Sequence, residues 1–349
     1  MDIAHCYMDG NTDAVEFCPH DDYHHVLATS TYTLLEGDNP SRSGSVSLFN
    51  VNADSSHLEL FHRVEVPGIF DIKWDPVGSD TGVRPLLAQA DSDGCIRVHC
   101  LERSSDEAED KGVVLREISS EKISSSMCLC ADWNPSATSI SVGLSDGSIS
   151  VISFSESRFE VLQEWKAHDF ETWAASFDPH QPHLVYSGSD DCKFICWDIR
   201  DRPSNSVFRN SKAHMMGICC IMKSNSNPNI LFTGSYDESF RIWDVRSVSR
   251  PVNVAAIGLG GGVWRIKNHP SVPGLVLTAC MHNGFAIVKT RGEEIEVMET
   301  YKKHESLAYG ADWQRGMPGE SGRKTSVIAT CSFYDRLVRI WTPERCHFS

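Results

Sequence analysis

Two tandem units between Lys166 and Arg246, KAHDFETWAASFDPHQPHLVYSGSDDCKFICWDIR and KAHMMGICCIMKSNSNPNILFTGSYDESFRIWDVR, fix what this chain can become. Each offers, in the same order, a His after a small residue, an alternating apolar segment and a polar turn. A second segment closing on Ser-Gly-Ser or Thr-Gly-Ser follows, then an Asp turn and a third segment closing on Trp-Asp. Self-similarity at a period of about 45 residues marks a supersecondary unit that cannot bury its apolar face alone and must be stacked on its neighbours. His168, Ser187, Asp191 and Trp197 keep the offsets of His214, Thr233, Asp237 and Trp243. Those offsets predict one buried hydrogen-bond chain per unit, running from Trp through a hydroxyl to His and Asp.

The pattern resembles the WD40 repeat, and weaker copies fill the rest of the chain. The expected fold is all-β: a seven-bladed WD40-type β-propeller in one domain over residues 1–349, with blades at about 13–52, 67–112, 126–165, 168–212, 214–258, 261–302 and 304–343. In the first blade Leu35 to Gly44, rich in Gly, Pro, Ser and Asp, reads as an exposed loop. Blade two places Asp93 in the turn and His99 where Trp stands elsewhere, and Glu102 to Ser125 reads as an outer strand flanked by a solvated acidic loop. Blade six has Asn283 for the turn Asp and Lys289 for the Trp, which breaks its buried chain. Blade seven, interrupted by a loop from Gly316 to Ser326, recovers His304, Asp335 and Trp341, with Cys331 in the slot of Ser187. It ends after its third strand, so residues 1–12 are expected to donate the fourth and close the ring.

Net charge decides which partners fit. At −15, with no basic stripe to replace phosphate counterions, direct nucleic-acid binding is excluded and a basic partner is favoured. The N-terminus MDIAHCYMDGNTD has no basic region followed by an apolar run, and Val252 to Trp264 is too short and Gly-rich to cross a bilayer. A cytoplasmic, monomeric protein without membrane contact is expected. Thirteen scattered cysteines, never in C-x-x-C, read as reduced, small buried apolar residues. No G-x-S-x-G elbow, phosphate-binding Gly loop or H-E-x-x-H is present, and the histidines lack partners at metal spacing, so no metal and no cofactor are expected.

The strings KAHDFETWAASFDP, VYSGSDDC, GGVWRIKNHP, TACMHNGF, YGADW and ATCSFYDRLVRIW are not demanded by the repeat. Together they resemble the diphthine methyl ester hydrolase family of diphthamide biosynthesis, closely over blades four to seven and loosely before them. The resemblance implies hydrolysis of a methyl ester from the modified histidine of translation elongation factor 2, the protein partner, giving diphthine and methanol. It carries over no catalytic residues.

The chain's own residues suggest a site on the face that bears the His and Asp turns. Just before each turn Asp lie Ser92, Ser145, Asp190, Tyr236, His282 and Tyr334, expected around the channel mouth. His282 is the sharpest of these, as a general base, with Cys280 and Ser332 as possible nucleophiles nearby. Trp173, Trp264 and Tyr309 begin the inner strands beside Glu171, Arg265 and Asp312. Their ring faces could hold a trimethylammonium at about 0.5 to 2 kcal/mol per contact, the carboxylates adding to this, and Arg265 could serve a developing oxyanion. The rival reading is a non-enzymatic scaffold, either a trafficking adaptor or a substrate receptor of a cullin-type ubiquitin ligase, for which WDIR at Trp197–Arg200 and WDVR at Trp243–Arg246 would serve as paired boxes.

Overall fold

The computed structural model describes residues 1–37, 40–76, 84–103, 112–201, 205–316 and 326–344. Among them the strands form seven four-stranded antiparallel sheets, each ordered along the chain from an inner to an outer strand, and the only helical turn is Asp21–Tyr23. The strand Asp2–Tyr7 pairs antiparallel with Leu337–Trp341, so blade seven takes its outer strand from the start of the chain. The Asp2 carboxylate pins this closure, accepting from Tyr301 Oη at 2.6 Å and Lys303 Nζ at 2.8 Å.

The core lies between blades rather than within them, because each sheet is apolar on both faces. Tyr186 and Phe194 of blade four share one cluster with Leu231 and Trp243 of blade five. Glycines stand where inner strands cross a neighbour too closely for a side chain. A Cβ at Gly310 would come within 2.6 Å of Cys331 Sγ and 2.7 Å of Val15 N, so the Gly of YGADW lets blade seven lie against the first strand of blade one.

Several boundaries differ from the sequence reading. Strand Val26–Leu35 runs on into a hairpin with Ser41–Asn52, so half of the expected loop from Leu35 to Gly44 is paired strand. The outer strand of blade two is Val113–Lys122; the acidic run before it falls in 104–111, and most of the blade-seven loop in 317–325, outside the described residues. The turn of blade two is capped by Asp91, whose Oδ1 accepts from the backbone N of Asp93 and Cys95 at 3.0 Å each. Asp93 therefore does not hold that role.

The buried relay is complete in blades four and five. Trp197 Nε1 donates to Ser187 Oγ at 2.9 Å, the hydroxyl meets His168 Nε2 at 2.8 Å, and His168 Nδ1 meets Asp191 at 3.0 Å. Trp243, Thr233, His214 and Asp237 repeat it. Blade seven inserts a link: Trp341 Nε1 to Thr330 Oγ1 at 3.2 Å, Thr330 to His304 Nε2 at 2.9 Å, His304 Nδ1 to Ser332 Oγ, and Ser332 Oγ to Asp335 at 2.5 Å. Thr330, not Cys331, thus fills the slot of Ser187, and Cys331 takes that of Gly188.

Candidate functional site

Seven inner strands face a common axis: Asn11–Phe17, Ile69–Trp74, Cys128–Trp133, Thr172–Phe177, Ile218–Lys223, Arg265–Asn268 and Ala308–Trp313. Most carry a register shift in their first residues, and such an extra residue re-aims a side chain. In this way Asp13, Phe70, Leu129, Trp173, Cys219 and Tyr309 occupy equivalent places at the upper end of the axis, and Trp264 completes the ring one residue before Arg265.

The aromatic members meet across blades. Trp173 and Trp264 lie 5.2 Å apart between ring centroids, and Trp264 stacks on Tyr309 at 4.7 Å and 22°. Tyr236 approaches Trp264 at 5.8 Å. From Tyr309 the wall continues through Phe333, Tyr32 and Phe70 at 5.2, 5.8 and 5.1 Å. Trp173, Tyr236 and Tyr309 are half-buried while Trp264 is 9% exposed, its indole N–H without a hydrogen-bond acceptor. Four of the residues singled out from sequence, Trp173, Tyr236, Trp264 and Tyr309, are thus brought together. Glu171 and Asp190 flank Trp173, with Asp190 N bonded to Glu171 O at 3.1 Å. Burial holds the Asp190 carboxyl above its usual range, and Glu171 adds to this. A Cβ at Gly217 would collide with Asp190 Oδ1, so Gly217 makes room for the carboxylate.

Below the ring the axis becomes ionic. Arg265 reaches across from blade six to Asp71 of blade two at 3.0 Å. One level deeper Lys267 pairs with Glu16 and lies 3.7 Å from Asp312, and Asp312 Oδ2 accepts from Phe17 N at 2.8 Å. Asp312 therefore ties blade seven to blade one and does not rim the mouth, as its place beside Tyr309 in the sequence had suggested. Burial pushes its carboxyl up to about 6. Arg265 also sits beneath the ring rather than beside it.

The proposed nucleophiles are withdrawn from the surface. Cys280 is 1% exposed, its thiol against Thr278 Oγ1 at 3.3 Å and pushed up to about 11 by burial. A neutral, enclosed thiol is a poor nucleophile. Ser332 is fully buried and its hydroxyl is spent on His304 and Asp335. His282 is exposed and makes no hydrogen bond among the described residues. It lines a pocket of about 590 Å³ together with Asn283, Lys302, His304, Leu307 and Tyr334. Leu307, which lines the pocket, also packs with Met281 on Trp264 and Cys219, and Tyr334 meets Phe333 of the aromatic wall at 5.0 Å.

Sequence reasoning missed Asp13. It is 4% exposed, and no hydrogen bond reaches its carboxyl among the described residues. Burial raises that group to about 8, opposed by Arg265 and assisted by Asp71. The signal was present in the alignment of DAVEF with WAASF and YGADW, which sets Asp13 over Trp173 and Tyr309.

This is a WD-repeat propeller with an aromatic, carboxylate-bearing upper mouth. The model of the WD domain, G-beta repeat, matches residues 159–198 and 206–244. A solved chain in the crystal structure of a mitotic checkpoint complex superposes with a TM-score of 0.71 over 98% of this chain and 95% of that one at 15% identity, a likeness of fold alone. Relatives carry the more specific message. A diphthine methyltransferase homolog of Dictyostelium discoideum is 30% identical over 97% of this chain and 98% of its own length. The diphthine methyltransferase of Mus musculus is 35% identical over 86% of this chain and 67% of its own. The chain belongs to the diphthine methyltransferase family.

Proposed function

We propose that this protein acts in diphthamide biosynthesis as a methylesterase, hydrolysing diphthine methyl ester on translation elongation factor 2 to diphthine and methanol. The observation that carries the reading is the aromatic ring at the upper mouth with carboxylates beside it. Such a surface suits a fixed trimethylammonium, which no hydrogen bond can hold and which ring quadrupoles and anions attract.

In this reading the cation rests on the accessible faces of Trp173, Tyr236 and Tyr309, with Glu171 and Asp190 opposing its charge. The ester, which lies close to the cation in the same short side chain, is thereby held at the mouth above Arg265. Positioning of this kind is itself a large part of catalysis. Phe170, Met215, Met216 and Tyr334 stand exposed on the loops of the same face, an apolar rim that suits a macromolecular substrate better than a free metabolite. His282, exposed in the pocket beside Tyr334, then serves as a contact to the polypeptide around the modified residue, not as the base suggested by sequence alone.

Methyl gain and methyl loss have opposite masses. Purified protein is incubated with elongation factor bearing the methyl ester, and separately with unesterified factor plus S-adenosylmethionine. Loss of one CH2 with release of methanol in the first is expected. Gain of one CH2 in the second, with none lost in the first, would replace the hydrolase by a transferase.

A further inference from the structure

Asp13 is the ring's only carboxylate, and among the described residues no hydrogen bond or ion pair engages it. Its six counterparts are Phe70, Leu129, Trp173, Cys219, Trp264 and Tyr309, none of them charged. A buried acid without a hydrogen-bonded partner costs stability, and groups that are kept at such a cost cluster at functional sites. It stands above the ionic layer, where Arg265 pairs with Asp71 at 3.0 Å and attracts the Asp13 carboxylate without pairing with it. It also lies close enough to Tyr309, Tyr236 and Cys331 to perturb each of them. The unsatisfied indole N–H of Trp264 in the same ring points the same way, since buried polar groups without partners in a native protein mark a place for a ligand or for water.

We propose that Asp13 is the catalytic base of this site, drawing a proton from the water that attacks the ester carbonyl. This rests on the methylesterase reading. With the cation on the faces of Trp173, Tyr236 and Tyr309, the water oxygen forms its bond to the carbonyl carbon as one of its protons passes to the Asp13 carboxylate, and the carbonyl π pair moves onto oxygen. Arg265, the nearest cation below, offsets that charge. Collapse of the tetrahedral intermediate restores the C=O and breaks the bond to methoxide, which takes the proton back from Asp13 and leaves as methanol. One water is consumed, Asp13 returns to its carboxylate, and the new acid ionises to solvent.

The competing groups are poorly suited. Burial holds the imidazole of His304 down at about 4 and its nitrogens are engaged by Thr330 and Ser332, while His282 is exposed and belongs to the pocket lined by Lys302 and Tyr334, not to the packed aromatic cluster. The charged and titratable groups facing Asp13 are Arg265 and Asp71 beneath it, Tyr309, Tyr236, Cys219 and Cys331 around it, and Glu16 further along its own strand. Their balance leaves the carboxyl at about 8, so a base role requires kcat/KM to rise through that pH. A bound ammonium stabilises the carboxylate, and the ionisation in kcat must therefore lie lower.

The test combines turnover, pH and a chemistry-free binding probe. For D13N, close to isosteric, we expect methanol release to fall about a hundredfold or more, while tetramethylammonium still quenches tryptophan fluorescence with an affinity within several-fold of wild type. Wild-type kcat/KM should show one ionisation near 8. Turnover of D13N within threefold of wild type would overturn the assignment, as would joint loss of tetramethylammonium binding and turnover, which marks a structural residue. If D13N does not fold, the wild-type profile decides, and a flat kcat/KM from pH 6 to 9.5 rejects Asp13. Absence of methanol release by wild type removes the methylesterase reading and this one with it, whereas an active wild type with an active D13N removes only this one.

Discussion

A carboxyl that burial raises to about 8 favours the folded state in its protonated form. Folding free energy from Asp13 is fully present below the ordinary aspartate value of about 4 and is lost as pH climbs through 8. The margin by which D13N melts above wild type should therefore widen from pH 5 to pH 9, by about 4 kcal/mol; a margin independent of pH in thermal melts would contradict the burial of that charge. His282→Ala should leave stability within about 0.5 kcal/mol and raise KM several-fold with kcat little changed. Trp173→Ala should weaken tetramethylammonium binding by about 0.5 to 2 kcal/mol, read by titration. At this scale the sequence showed the aromatics and hid the acid. Trp173, Trp264 and Tyr309 are large and follow the tetrad positions at a fixed interval, whereas Asp13 stands in a degenerate blade with no tetrad His before it, and only strand register makes it their equivalent.

Elements were legible where a period of two residues meets turn chemistry. The relay of blade four was readable because its offsets repeat in blade five, and Asp191→Ala should cost about 1 to 3 kcal/mol by chemical denaturation. The His168 and backbone N–H partners hold the Asp191 carboxyl far below its usual value, so its contribution is present above about pH 4 and should vanish as pH falls below that value. Blade seven was misread for a physical reason. Thr330 and Trp341 lie 11 residues apart and Ser187 and Trp197 lie 10 apart, because the turn at Asp335 is one residue longer, and counting back from Trp341 lands on Cys331. The missing fourth strand of that blade was inferred from the need to leave no bare edge. Removing Asp2–Tyr7 should lower the melting temperature by about 5 °C or more, since Leu337–Trp341 would lose its partner strand and Tyr301 its acceptor; an unchanged melt would mean that the ring is closed by other contacts.

For the molecule as a whole, charge and surface point to a basic, macromolecular substrate. A net charge of −15 with an exposed apolar rim on one face suits a cationic protein surface, and long-range attraction of this sort weakens with salt. The WDxR arginines are exposed and each pairs with the Asp of its own box, Arg200 with Asp198 and Arg246 with Asp244, at 2.5 Å, so the fold itself accounts for both. The upper mouth, in the proposed reaction, removes a methyl group from an ester next to a fixed cation. Mass spectrometry of the modified peptide of elongation factor 2 after incubation with purified protein, with methanol followed in parallel, tests this. Loss of one CH2 with stoichiometric methanol and competition by tetramethylammonium are expected; an unchanged mass on authentic methyl ester would refute the hydrolysis and leave a propeller that binds without catalysing.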